Sequence, residues 1–321
     1  MKTITILVLD GVLDSSLAIT LDTLRTAHAF MTAHNTAPQV QVRTIAAASH
    51  VTTACGLRMK VDLTFKTAQD LASDWVVVPG LGMRSAEEIR ERLAQGDALQ
   101  AMKWLARAGE GKRRIAASCS SVFMLAEAGL LHEKNATTSW WLATTFRERY
   151  PDVTLDEARM LVRDGPRLTA GAALSQLDLM LAIVAEVMGK SVAHLCSRYL
   201  LIDQRSSQAR YMIQSHLKHE DQTVIAAERW IDKHLSEPIA IKILASELAI
   251  SSKTLARRIE AATGVSPIKF IQRRRLLRAA HLIETSALSI EAVAEQVGYR
   301  DSTALRKLIK REFGITPSSL R

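Results

Sequence analysis

The sequence predicts an α/β domain with a mainly parallel sheet, followed by an all-α domain built from a duplicated two-helix unit. Three observations carry that reading. Continuous apolar runs such as ITILVLDG (4–11) and DWVVVPG (74–80) alternate with stretches of helical periodicity. Near the C-terminus LASELAIS, SKTLARRIEAATG and VSP are answered in order by VAEQVGYR, DSTALRKLIKREFG and ITP. Ala245 and Ala294 stand 49 residues apart and Gly264 and Gly314 stand 50 apart, so the repeat is one supersecondary element copied once. The net charge of +9 is also unevenly placed, because residues 223–321 hold 17 basic and 10 acidic residues.

The run at 4–11 is apolar at every position before Asp10 except Thr5, the pattern of a strand buried on both faces. Leu17, Leu21, Leu24, Ala27 and Phe30 then recur at helical spacing over 17–34. VQVRTIAA (40–47) reads as a second strand, and VTTACGLRMKVDLTF (51–65) as a hairpin turning at Gly56. DWVVVPG is a further buried strand, followed by a helix over Ser85–Ala108 and the strand RRIAAS (113–118). Strand and helix in alternation give a flavodoxin-like sandwich, whose ligands bind beyond the carboxyl ends of its strands. Those ends are Gly11–Ser16, Pro79–Gly82 and Ser118–Ser121.

Cys119 lies directly between a strand and the helix VFMLAEAGLL. A residue on such a turn projects into a pocket beside backbone N–H groups and a helix N-terminus. The expected pocket residues are Cys119, Ser120, Ser16, Gly80, Gly82 and Ser139. The hairpin RMLVRDGPRLTAG (159–171) is expected to bring Thr169–Gly171 to its rim. Two helices follow, Ala172–Met188 and Ser191–Ile202, and either could pack within the domain or face a second copy. Residues 203–222 are polar and without sustained apolar period, so the domains are expected at 1–195 and 223–321 with a linker over 196–222.

In each C-terminal copy a short helix carries Leu244, Ala245 and Leu248, or Val293, Ala294 and Val297, on one face. A second helix opens on the capping residues Ser251-Ser252 or Asp301-Ser302 and ends at glycine. This is a helix-turn-helix in duplicate. Hydroxyls at a helix start and bases along it suit base edges and phosphates in a major groove. Expected DNA contacts are Ser252, Lys253, Thr254, Arg257 and Arg258 in one copy, and Asp301, Ser302, Thr303, Arg306 and Lys307 in the other. Between the copies, SPIKFIQRRRLLRAAHLIE forms a central helix with Arg273, Arg274, Arg275 and Arg278 expected on its solvent side.

The Leu244-Ala245 and Val293-Ala294 pairs, VGYRDSTALRKLIKREFG and the terminal ITPSSLR resemble the DNA-binding domain of AraC/XylS-type activators over residues 223–321. The segment around Cys119, with VVVPGLG and ATTSWW, resembles the PfpI-like branch of the class I glutamine amidotransferase-like superfamily over residues 4–190. Together they resemble the GlxA family of transcriptional regulators. The resemblance implies a cytoplasmic, homodimeric regulator, an activator by family habit, that binds promoter DNA, contacts RNA polymerase and answers to a small effector of amino-acid-derived or nitrogenous type. Active members of the superfamily pair the cysteine with an acid and a histidine. Here Ser16 and Ser139 fall in those places and Asp14 stands two residues away, so a degenerate sensor without catalytic residues is expected; the alternative is a DNA-tethered cysteine hydrolase, amidase or glyoxalase-like enzyme using Cys119.

Other classes find little support. Three widely spaced cysteines make no disulfide framework, and no apolar span reaches the roughly 20 residues of a membrane helix. Gly80 and Gly82 are followed by Ser85 where a dinucleotide fingerprint has its third glycine. His216 and His219 lack a third ligand in a metal pattern, so neither metal nor cofactor is expected.

Overall fold

The computed structural model describes every residue except 1, 34–39, 69–72, 112, 204, 206, 213–220 and 321. His216 and His219 therefore lie outside the described residues. The chain divides into two compact units, Met1–Ser206 and Ser207–Arg321.

The first unit runs β1 (Lys2–Leu7), α1 (Asp14–Ala33), β2 (Val40–Ala46), β3 (His50–Thr52), β4 (Arg58–Lys60), β5 (Leu63–Thr64) and β6 (Trp75–Val78). It continues through α2 (Ala86–Leu93), α3 (Gly96–Gly109), β7 (Arg114–Ser118), α4 (Val122–Glu127), β8 (Asn135–Ala136) and α5 (Ala143–Arg149). β9 (Thr154–Leu155), β10 (Leu161–Asp164), β11 (Arg167–Ala170), α6 (Gln176–Val187) and α7 (Lys190–Tyr199) complete it. Seven strands form one sheet in the order β10-β11-β7-β6-β1-β2-β5, parallel throughout except for β10 against β11. β2 lies on one side of β1 and β6 on the other, so the chain reverses direction across the sheet at the β1/β6 boundary. Right-handed crossovers then put α1 and α3 on opposite faces. All four residues of β6 are buried, as an apolar run without alternation requires.

Two expectations change. The helix expected over Ser85–Ala108 is broken into α2 and α3 at Gln95, where Gly96 weakens continuation and the Arg92–Asp97 ion pair at 2.6 Å spans the bend. The linker expected from 196 begins inside α7, because Cys196 is fully buried in the apolar core of the first unit.

The second unit contains α8 (Gln222–Lys233), α9 (Ile241–Glu247), α10 (Ser252–Thr263), α11 (Pro267–Thr285), α12 (Ile290–Gln296) and α13 (Ser302–Phe313). α11 packs against α8 and α10 on one side and α12 and α13 on the other, so it is the wall both helix pairs share. A helix enclosed in that way has little solvent face. Hence the expected exposed arginine row is largely turned inward. Arg274 is buried and pairs with Asp232 and, at 3.1 Å, with Glu228. Arg275 donates to the carbonyls of Gly298 (3.2 Å) and Glu237 (2.5 Å), and Arg273 pairs with Glu312. Only Arg278 of the four is exposed.

Candidate functional site

The carboxyl ends of β1, β6 and β7 meet at the reversal point of the sheet. Cys119 follows β7 with φ of 55°, a left-handed backbone that costs a side-chain-bearing residue energy and turns the chain sharply into α4. Four contacts hold that conformation. Its N–H donates to Gly171 O at 2.7 Å, and its own carbonyl accepts from Thr138 Oγ1 at 2.7 Å. Ser120 and Ser121 donate to the carbonyls of Leu81 (2.5 Å) and Pro79 (2.6 Å). The end of the β10–β11 hairpin therefore reaches the elbow, as its sequence position suggests.

Five of the six expected pocket residues converge here. Ser16 Oγ, in the first turn of α1, accepts from Gly80 N at 2.7 Å. A Cβ on Gly80 would stand 3.0 Å from Cys119 Cβ and 3.3 Å from Ser16 Oγ, so any side chain there would crowd the elbow and force its neighbours to shift. Ser139 Oγ donates to Cys119 Sγ at 3.0 Å. Gly82 faces away: a Cβ there would meet Leu13, Gly11 O and Ala54, beside a separate hollow of about 270 Å³ shared with Glu88 and Arg92. Asp14 also points elsewhere, accepting from Thr53 Oγ1 at 2.5 Å and Cys55 N at 3.0 Å.

The chemistry of the elbow follows from its surroundings. Cys119 is only 2% exposed, and Ser16, Ser120 and Ser139 are fully buried. Burial pushes the Cys119 thiol up, and the hydroxyl of Ser139 and the Ser120 contacts oppose this without a full charge. A nucleophilic cysteine needs the reverse, a neighbouring base or cation that populates thiolate at neutral pH. The Cys119 N–H, a candidate anion donor, is already taken by Gly171. Three of the contacts that close this site come from Thr138, Ser139 and Gly171; Ser139 and the hairpin end at Gly171 were expected here, while the Thr138 hydrogen bond to the Cys119 carbonyl was not. Among the described residues, no group of three or more His, Cys, Asp or Glu could hold a metal ion.

The two helix pairs of the second unit present a different surface. Ser251 caps α10 by accepting from Thr254 N at 3.0 Å, and Asp301 caps α13 by accepting from Thr303 N at 2.7 Å. Both helices end on left-handed glycines, Gly264 at φ 69° and Gly314 at φ 75°. Leu255 and Ile259, or Leu305, Ile309 and Phe313, are buried beneath them. Ser252, Lys253 and Arg257, and Thr303, Arg306 and Lys307, are exposed, while Thr254 and Ser302 are half-buried. Two expected contacts have other engagements. Arg258 donates to Thr223 Oγ1 at 2.6 Å and pairs with Asp221 at the start of α8. Asp301 spends its carboxylate on the cap, which holds its pKa below the usual carboxylate range. Arg306 pairs with Glu291 at 3.2 Å across an exposed surface.

Comparison with known proteins agrees with this division. The DJ-1/PfpI family model matches residues 2–186, and a helix-turn-helix domain model matches residues 244–321. The chain is similar to the HTH-type transcriptional regulator CdhR of Pseudomonas aeruginosa, 23% identical over 223 residues that cover 68% of this chain and 66% of that protein. It is similar to the HTH-type transcriptional regulator GlxA of Rhizobium meliloti, 28% identical over 216 residues that cover 65% of each. The chain thus spans slightly less than two thirds of these relatives. In fold, an AraC family transcriptional regulator from Pseudomonas putida gives a TM-score of 0.51 at 19% identity, covering 62% of this chain and 100% of that one. The match over more than half of its length, on the sheet and elbow described above, makes this chain a member of the DJ-1/PfpI family that also carries a C-terminal helix-turn-helix domain.

Proposed function

We propose that the protein is a sequence-specific DNA-binding transcriptional regulator whose N-terminal unit senses a small metabolite. The observation that carries this is the duplicated, capped helix pair: α10 and α13 expose hydroxyl and basic side chains at equivalent places around one shared helix. The basic excess of the chain is concentrated in the same region, where phosphate neutralisation uses it. Homodimer formation and contact with RNA polymerase belong to the same proposal; exposed Leu174, Leu195, Tyr199 and Leu201 around α6 and α7 support the first.

The enzymatic alternative rests on the strained cysteine elbow alone. Its thiol is buried, pushed up in pKa and bonded to hydroxyl and backbone groups, which favours a structural use of the inherited geometry. Selection of duplexes from a random pool with the full chain, followed by footprinting, tests the regulatory reading. Two protected patches about one helical turn apart are expected. Uniform retention of all duplexes would remove sequence-specific regulation from consideration.

A further inference from the structure

The two helix pairs of the second unit share a pattern, but their turns are built differently. Four residues, 248–251, separate α9 from α10, whereas five, 297–301, separate α12 from α13. Each residue brings two soft backbone dihedrals, so the longer turn constrains α13 less than the shorter one constrains α10.

The longer turn is tied to the first pair by one side chain. Arg275, half-buried on α11, donates through Nη1 to Gly298 O at 3.2 Å and through Nη2 to Glu237 O at 2.5 Å. Gly298 lies in the turn before α13, and Glu237 in the connection between α8 and α9. The guanidinium carbon also stands 5.8 Å from the centre of the Tyr299 ring. Both acceptors sit in hydrogen-bonded turns: Glu237 N donates to His234 O at 3.0 Å, and Gly298 N to Glu295 O at 3.1 Å. The backbones approach closely here, since a Cβ on Gly298 would lie 2.3 Å from Leu235 O. Apolar packing along α11 is non-directional and tolerates sliding. A planar guanidinium with both ends hydrogen-bonded fixes direction as well as distance.

We propose that Arg275 is the positioning residue that sets α13 relative to α10, and with it the number of base pairs required between the two DNA contact patches. Major grooves on one face of a duplex recur about every 34 Å. One added base pair moves the second groove by about 3.4 Å and rotates it by about a tenth of a turn. Two helices locked together by Arg275 meet that mismatch only by deforming the DNA, which costs affinity. Two helices joined by apolar packing alone follow it. The assignment rests on the regulatory reading above and names a determinant of the architecture of its site. In this role Arg275 touches neither base nor phosphate; it acts through Gly298 and the helix that follows.

The test uses the full chain, a duplex selected from the random pool, and derivatives with one base pair added or removed between the two protected patches. Affinities are read by fluorescence anisotropy. The wild type is expected to lose about tenfold on either change of spacing. Arg275→Met keeps the apolar stem and loses both hydrogen bonds, and should reduce that loss to about threefold or less. Arg278→Met, at an exposed position on the same helix, should keep the wild-type ratio whatever its effect on affinity. A merely structural role for Arg275 would lower the active fraction and weaken all three duplexes alike, leaving the ratio unchanged. If Arg275→Met does not fold, Arg275→Lys replaces the planar fork with a point donor and is read in its place. A wild-type ratio in the folded Arg275 variant, the same narrowing in Arg278→Met, or a wild type indifferent to spacing overturns the assignment and leaves the regulator standing. Failure to select any duplex overturns the regulatory reading, and the assignment with it.

Discussion

Ala249 and Gly298 occupy the same turn of the two helix-turn-helix copies, 49 residues apart, and both have a left-handed backbone, φ 53° and 78°. They differ in what surrounds them. A Cβ on Gly298 would lie 2.3 Å from Leu235 O and 2.8 Å from Arg275 Nη2, so the second copy requires glycine. The first copy carries a methyl in the same conformation and bears strain of about 1–2 kcal/mol for it. Ala249→Gly removes that strain but adds freedom to the unfolded chain, for an expected net gain of about 0.5 kcal/mol. Gly298→Ala should cost about 2–3 kcal/mol. Urea titration followed by circular dichroism checks both; equal and small effects would mean that the two turns are equivalent.

Arg274 and Arg278 look alike in sequence and should respond differently to substitution. Arg274 of α11 is enclosed by Asp232 and Glu228, and its removal leaves these two carboxylates side by side on α8 without their cation. Arg274→Met is therefore expected to destabilise by about 3 kcal/mol, near the low end for a broken buried pair because Asp232 retains some access to water. Arg278→Met, at an exposed position, should stay within about 0.5 kcal/mol of wild type. The same urea titration separates them.

The three thiols should react in a fixed order. Cys119 and Cys196 are buried, and burial pushes Cys196 up to about 11. Cys55 is exposed but stands beside the Asp14 carboxylate, whose hydrogen bond and charge favour the neutral thiol and raise its pKa. At pH 7 to 8 the native chain should therefore alkylate slowly, and at Cys55 first. Asp14→Asn removes the charge, lowers the Cys55 pKa and should speed alkylation across that pH range. Mass mapping of alkylated peptides against pH reads the result. Earlier labelling of Cys119 than of Cys55 would show that the elbow opens in solution and would restore weight to the enzymatic alternative.

Legibility of the sequence followed the length scale of each interaction. The sheet, the elbow at Cys119 and both helix pairs were visible because period, turn residues and repeat spacing are local. The break at Gln95 was hidden because one glycine in a helical pattern can be tolerated; the Arg92–Asp97 pair that spans the bend is seen only in three dimensions. The row at Arg273–Arg278 read as solvent-facing because charge ordinarily marks a surface, yet α11 is enclosed on two sides and its partners Asp232, Glu228 and Glu312 lie 39 to 46 residues away. Cys119, Ser120, Gly80 and Ser16 were legible as neighbours, since they follow strands of one sheet, whereas Ser139 follows β8 of a separate pair and was placed by the family resemblance. Ser139 and the hairpin end at Gly171 were also expected beside them, but the full closure was not, because it depends on the hydrogen bonds among Cys119, Gly171, Thr138 and Ser139 that form only when those segments pack together.

Arg306 and Lys307 lie side by side on α13, and they should fail in different ways when removed. Arg306 presents a planar fork suited to a base edge, but in the free protein it is paired with Glu291 at 3.2 Å and must exchange that partner for DNA. Arg306→Ala should lower affinity for the selected site by about 1–3 kcal/mol and relax preference at one base pair. Lys307 is a point charge suited to phosphate, so Lys307→Ala should weaken binding to all sequences alike and reduce the salt slope by about 1. Glu291→Gln releases Arg306 and should raise affinity modestly, because the ion pair no longer competes with the duplex. Fluorescence anisotropy at several salt concentrations, on matched and mismatched duplexes, separates the three. An Arg306→Ala variant with unchanged affinity and unchanged base preference would place recognition on α10, with Arg257 as the next residue to test.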